Sequence, residues 1–296
     1  MPSVKPSLRL AIVAVALLVS AFTLNAAERD TLKLLAIGNS FSRDCTAYLD
    51  DLAKAGGKTL VFGHAMIGGS SLEVHATHLA QAEAGDEAGR VYKNVVDPVT
   101  RQKSDATLPE MLKSTDWDFV TLQQWSRLSF KPETYQPYAD QLIAAIRQYA
   151  PDAEILVHQT WAYREDHDFF QKNNGFTPQK MYDGLTAAYR AFADGKGFRI
   201  LPSGDALQHA RRTPRWTYVQ DPDFDFKNPA PGTEPDQHAS LNIGWGWIRN
   251  QTVFRNDPIH LNTAGKYLGA CVWYLTLYET DTLPTDFLPK DLDAET

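Results

Sequence analysis

The chain has 296 residues, of which 43% are hydrophobic, 22% charged and 11% aromatic, with a formal net charge of −7. That length and mixture suit one large domain, or two small ones, with a sizeable core, and they exclude a disordered, collagen-like or coiled-coil chain. The acidic balance offers no broad basic field for nucleic acid, and two cysteines are too few for a disulfide framework or a cysteine-rich zinc site.

In chain order, residues 1–27 come first and have the three parts of a secretory signal peptide. Lys5 and Arg9 make a positive start, Leu10 to Leu24 is an almost unbroken apolar run, and Ala26 and Ala27 are small. The run is shorter than the roughly 20 residues of a comfortable membrane span. No cysteine for lipid attachment sits near Ala27, the first being Cys45. The expectation is a secreted or periplasmic protein with no stable membrane insertion after processing, residues 28–296 forming the mature domain. An uncleaved N-terminal anchor is the alternative. Cys45 and Cys271 would then meet an oxidising compartment, either paired or as two separate buried small hydrophobes.

The mature chain alternates strands with helices. Leu32 to Ile37 is a short apolar run stopped by Gly38 and Asn39, which reads as a buried strand. Ser42 to Ala55 has helical spacing on the face of Tyr48, Leu49, Leu52 and Ala55, and ends at Gly56 and Gly57. Lys58 to Met66 reads as a second strand, followed by the loop from Ile67 to Ser71. Trp117 to Gln123, Glu154 to Gln159 and Phe198 to Leu201 read as three more strands. Tyr138 to Tyr149, Met181 to Asp194 and Ala264 to Leu277 read as helices. Near-continuous apolar strands alternating with helices predict a parallel sheet covered on both faces. Two segments break the alternation: the polar Glu83 to Thr107, expected as an inserted hairpin or excursion, and the long Pro- and Trp-rich stretch Arg211 to Asn256.

Open parallel sheets bind ligands at the carboxyl ends of their strands. Ser40, Gly68 and Gly69, Gln123 and Gln124, and His158 to Trp161 all lie at such ends, and Asp257-Pro-Ile-His260 precedes the last helix. Ser40, at a strand-to-helix turn, would have free backbone N–H groups beside it. His260 can act as the base a serine nucleophile needs, and Asp257, three residues upstream, can hold its tautomer. The backbone N–H groups of Ser40 and Gly69, with the Gln123 side-chain amide, could receive an oxyanion.

These residues carry a resemblance. Leu34 to Ser42 (Leu-Leu-Ala-Ile-Gly-Asn-Ser-Phe-Ser) and Asp257-x-x-His260 resemble the first and last blocks of the SGNH (GDSL-like) hydrolases, and Leu-Gln-Gln at 122–124 and Thr-Trp-Ala-Tyr at 160–163 resemble a branch of that superfamily. The resemblance implies a flavodoxin-like three-layer αβα sandwich with a five-stranded parallel sheet, and a Ser-His-Asp ester hydrolase without a metal or other cofactor. Ser40 matches the nucleophile, Gly69 (or Gly68) the oxyanion glycine, and Asp257 and His260 the triad partners. The family's Gly-x-Asn-Asp block is replaced by Leu-Gln-Gln-Trp-Ser at 122–126, so Gln123, with Gln124 as second choice, is the candidate for the missing asparagine.

The remaining chemistry-bearing residues read more plainly. His75 and His78 share a helix face, but no further ligand makes a metal set with them. Asp221, Asp223 and Asp225 mimic the start of a calcium loop, yet the sixth position is Phe226 and the twelfth Gly232, so a solvated acidic loop is expected instead. Trp125, His158, Trp161, Trp245 and Trp247 are candidates for a substrate groove, because aromatic faces suit the C–H faces of sugars. The expected substrate is therefore a small-molecule or polysaccharide ester, with removal of O-acetyl groups from a carbohydrate the leading reading. A lipase or thioesterase on the same triad, and a non-catalytic glycan-binding module, are the alternatives.

Overall fold

Leu32, Leu34, Leu35, Ala36 and Ile37 are all buried, and an extended run buried on both faces belongs at the centre of a sheet. The computed structural model describes residues 30–250 and 252–293. The signal-like segment 1–27 lies outside them. Strand β1 (Thr31–Gly38) is followed by helices α1 (Ser40–Cys45) and α2 (Leu49–Ala55), strand β2 (Thr59–Met66) and helix α3 (Leu72–Glu83). A hairpin, β3 (Tyr92–Val96) and β4 (Lys103–Ala106), leads to α4 (Leu108–Lys113), β5 (Phe119–Leu122), α5 (Tyr138–Tyr149) and β6 (Glu154–His158). Then come α6 (Asp168–Lys172), α7 (Pro178–Lys196), β7 (Arg199–Leu201) and α8 (Ser203–Arg211). An antiparallel ribbon of β8 (Asn242–Ile248) and β9 (Val253–Leu261) and the last helix α9 (Thr263–Leu277) complete the order.

The central sheet has the order β2-β1-β5-β6-β7 and every pairing in it is parallel. The chain winds outward from β1 to β2, then crosses back to β5 and winds the other way. Right-handed crossovers in two directions place helices on opposite faces. Accordingly α1 and α2 pack with α9, which also meets α8, while α3, α4 and α5 pack with one another. The register sets Gly38 beside Met66, and Ile37 beside Leu122, so the strand ends share one edge. The winding reverses between β1 and β5, and the crevice of a doubly wound sheet opens at that point. Ser40 and Gln123 follow those two strands.

The expected strands and the three expected helices are present with shifts of a few residues at their ends. The stretch Ser42 to Ala55, expected as one helix, is two. Thr46 turns its hydroxyl back onto the Ser42 carbonyl at 2.8 Å, where its own N–H also bonds. Such back-bonding competes with continuation of the helical ladder. The segment Glu83 to Thr107 contains the β3–β4 hairpin. Asp257 to His260, expected in the approach to the last helix, is part of β9. Cys45 and Cys271 are both buried and both free. Helix α9 presses close there, since a Cβ on Gly269 would stand 2.7 Å from Cys45 Sγ.

Candidate active site

Asn39 leaves β1 in an extended conformation and caps α1, its Oδ1 accepting the N–H of Phe41 at 3.0 Å. That cap makes Ser40 the first helical residue, where the backbone N–H has no intrahelical partner. The Asn39 side-chain N–H donates to the Ser70 carbonyl at 2.9 Å. One side chain thus joins the serine turn to the Gly68-Gly69 loop after β2. Gly69 has φ +65°, a left-handed backbone that glycine adopts freely. The backbone N–H groups of Ser40 and Gly69 make no hydrogen bond with the described residues.

His260, the candidate base, arrives on β9. Its pairing with β8 sets Asn242 opposite Leu261 and Gly244 opposite Asp257, so Pro258, Ile259 and His260 bulge out against Ile243 alone. The bulge's carbonyls are held from the loop after β6. Arg164 N–H donates to Pro258 at 3.0 Å, and Trp161 Nε1 to Ile259 at 2.9 Å. Gly244 has φ +71°, and a Cβ there would stand 2.5 Å from the Arg164 guanidinium. Arg164 itself pairs with Asp166 at 2.7 Å, both nearly buried.

The bulge brings His260 Nε2 to 2.9 Å from Ser40 Oγ, across 220 residues of chain. His260 Nδ1 lies 2.9 Å from Asp257 Oδ2, and the Asp257 carboxylate also accepts the His260 backbone N–H at 3.0 Å. An ionised carboxylate only accepts, so Nδ1 carries the proton and Nε2 is free to accept the serine O–H. Burial alone would push the Asp257 carboxyl up, but hydrogen bonds from the His260 side chain and backbone outweigh it and hold the group at about 2. The His260 imidazole is raised, first by its hydrogen bond to Asp257, against the opposing effect of burial, with the charges of Asp257 and Asp44 adding to the rise. The arrangement is a hydroxyl, a correctly polarised imidazole and a carboxylate in one hydrogen-bonded line, and the backbone N–H of the serine itself is unpaired among the described residues.

Other expected contacts fall elsewhere. Gln123 is 3% exposed, its amide nitrogen donates to Asn39 Oδ1 at 2.8 Å, and its oxygen accepts from His158 Nδ1 at 3.1 Å. It supports the serine turn instead of facing a reacting group. Gln124 is committed at both ends, accepting the N–H of Leu72 and Trp125 and donating to Thr134. Trp161 is fully buried, stacked on Phe41 at 4.1 Å, and His158 is buried edge-on against Trp273. Neither can meet a substrate. Trp245 and Trp247 pack with Phe254, and Trp245 also with Phe226. Their ring N–H groups donate to Asp166 and the Thr233 carbonyl. Both rings are half-buried in an aromatic cluster of the insertion. Trp125 is half-buried, with the Arg127 guanidinium 5.8 Å from its ring centre.

His75, whose imidazole burial lowers to about 4, bonds Tyr92 OH, Ser70 Oγ and the Gly38 carbonyl. His64 lies 2.9 Å from Ser42 Oγ, which itself donates to the Asn39 carbonyl. Among the described residues no group of three or more His, Cys, Asp or Glu side chains is placed to hold a metal ion.

The support role of Gln123 is testable. Gln123→Ala is expected to lower the unfolding free energy by about 1–3 kcal/mol, the cost of stranding a buried polar group, measured by denaturant titration. Unchanged stability with a loss in kcat of about 10²–10³, the signature of a lost oxyanion donor, would restore Gln123 as that donor.

An all-parallel five-stranded sheet in this order, flanked by helices and with a serine at the turn after its first strand, is the α/β sandwich of the SGNH hydrolases. The chain belongs to the family described as Domain of unknown function (DUF4886), whose profile matches residues 33–226. That span holds Ser40 and all of the central sheet except Thr31 and Leu32 of β1, and stops before Asp257 and His260. The crystal structure of a DUF4886 family protein from Bacteroides uniformis is similar, with 28% identity, 90% of each chain covered and a TM-score of 0.63. A candidate SGNH hydrolase from Slackia heliotrinireducens shares the fold at 17% identity and a TM-score of 0.51, over 83% of this chain and 99% of that one. None of the curated proteins matches the sequence.

Proposed function

We propose that the protein is an exported serine ester hydrolase that removes O-acetyl groups from a carbohydrate. The observation that carries the reading is the Ser40–His260–Asp257 line, with 2.9 Å at each of its two junctions. His260 Nε2 takes the Ser40 proton as the oxygen attacks the ester carbonyl. The tetrahedral oxyanion falls to the backbone N–H groups of Ser40 and Gly69, two donors rather than the three expected. His260 returns the proton to the departing sugar hydroxyl, leaving Ser40 acylated. Water, deprotonated by the same imidazole, then releases acetate and restores the serine.

A polar alcohol is favoured over a lipid by the surface. Val99, Val219, Ile243 and Leu288 are the large apolar side chains left exposed among the described residues. Each comes from a different segment of the chain, and four such side chains are few against the large contiguous apolar face that marks a lipid-binding surface. Release of acetate from a panel of O-acetylated polysaccharides tests the proposal. At least one glycan is expected to lose acetyl groups, and chromogenic esters are expected to react more slowly as the acyl chain lengthens. Rates that rise with chain length would establish a lipase or thioesterase. Glycan binding with no ester turnover would establish a binding module.

A further inference from the structure

Asp44 lies on α1 one turn after Ser40 and is 2% exposed. Its Oδ2 accepts the backbone N–H of Leu261, the residue directly after His260, at 2.9 Å and across 217 residues of chain. Among the described residues, two hydrogen bonds join α1 to β9: this one, and the bond from Ser40 to His260 itself. Only the first survives the reaction. Once Ser40 Oγ carries an acyl group it has no proton to give, and the bond to the Asp44 carboxylate is then the one hydrogen bond left between α1 and β9 among the described residues, beside the packing of the Phe41 ring near His260. Yet His260 must stay in place to deprotonate the incoming water. Burying a carboxylate is costly unless it is well bonded, and burial does push this one up against the lowering effect of the Leu261 N–H.

We propose, on the serine-hydrolase reading above, that Asp44 is a positioning residue, a clamp that holds the strand of the base against the helix of the nucleophile throughout the cycle. It also presents a second negative charge to the imidazole. The charged groups around the pair are Asp257 on β9, Arg43 on α1 and Lys266 on α9. Arg43 opposes the two carboxylates at His260, and Lys266 faces Asp44.

Asp44→Asn and Asp44→Ala separate the two effects. Asparagine keeps an oxygen that can accept the Leu261 N–H but removes the charge, whereas alanine removes both. On a chromogenic acetate ester, Asp44→Ala is expected to lower kcat about 100-fold, the scale of a misplaced catalytic group, with KM within about twofold. Asp44→Asn is expected to recover most of that loss. In both folded variants the His260 imidazole, followed by NMR, is expected to titrate at lower pH than in the parent. Wild-type kcat in Asp44→Ala, or an unmoved imidazole midpoint in Asp44→Asn, overturns the proposal. The NMR arm needs no turnover, and Asp44→Asn carries the test if the alanine variant does not fold. Equal ester rates in the parent and in Ser40→Ala would instead sink the hydrolase reading.

Discussion

Ser40→Ala is expected to lower kcat on an activated acetate ester by about 10⁵–10⁶, the scale on which serine hydrolases lose turnover without their nucleophile. The variant should fold as the parent does. Among the described residues the Ser40 hydroxyl bonds only the His260 ring, the helix cap is supplied by Asn39, and alanine is a good helix former. Substrate binding should persist, because the Gly69 loop and the backbone N–H at position 40 are untouched. Steady-state kinetics with a thermal melt checks both halves. Parental turnover in a folded Ser40→Ala protein would remove the serine mechanism.

Asp257→Asn is the second large effect, with a loss of about 10⁴ in kcat expected. An asparagine amide can turn its N–H₂ toward Nδ1, which flips the imidazole to the wrong tautomer. The pH profile gives an independent reading. The hydrogen bond to Asp257 is the main cause of the raised His260 imidazole, so in the parent the acidic limb of kcat/KM should lie above the ordinary histidine value of about 6.5. Activity is present above that limb and lost as the pH falls through it, because imidazolium cannot accept a proton. In Asp257→Asn the limb should move down. Stability is lost in the same direction, but in a more acidic window. The Asp257 carboxyl, held at about 2, contributes stability that is present above its ordinary unfolded value of about 3.9 and lost as the pH falls toward 2.

The sheet was legible because its strands are buried on both faces and so appear as uninterrupted apolar runs. Leu34 to Ile37 is the clearest, ended by the Gly-Asn that turns the chain. Helix α4 was not read, although Thr107 and Glu110 form a capping box around Pro109, a local signal that was available. The aromatic residues misled for a physical reason. A tryptophan at a strand end can line a groove or wedge an adjoining strand, and the choice depends on what packs against it. Trp161 meets Phe41 and the Ile259 carbonyl, neighbours more than 95 residues away in the chain. Gln123 failed likewise, its amide absorbed by Asn39 and His158. Asp44 carried no sequence signal, since its partner is a backbone N–H far along the chain, and no spacing encodes that.

The two thiols have a consequence of their own. Burial pushes the Cys45 sulfhydryl far up and Cys271 to about 11, so at neutral pH neither is a thiolate, the form that reacts with electrophiles. With Cys45 under Gly269, an alkylating reagent finds no foothold on the closed molecule. Labelling at that sulfur therefore counts excursions in which α9 lifts away from α1, making Cys45 a native clock for opening beside Ser40.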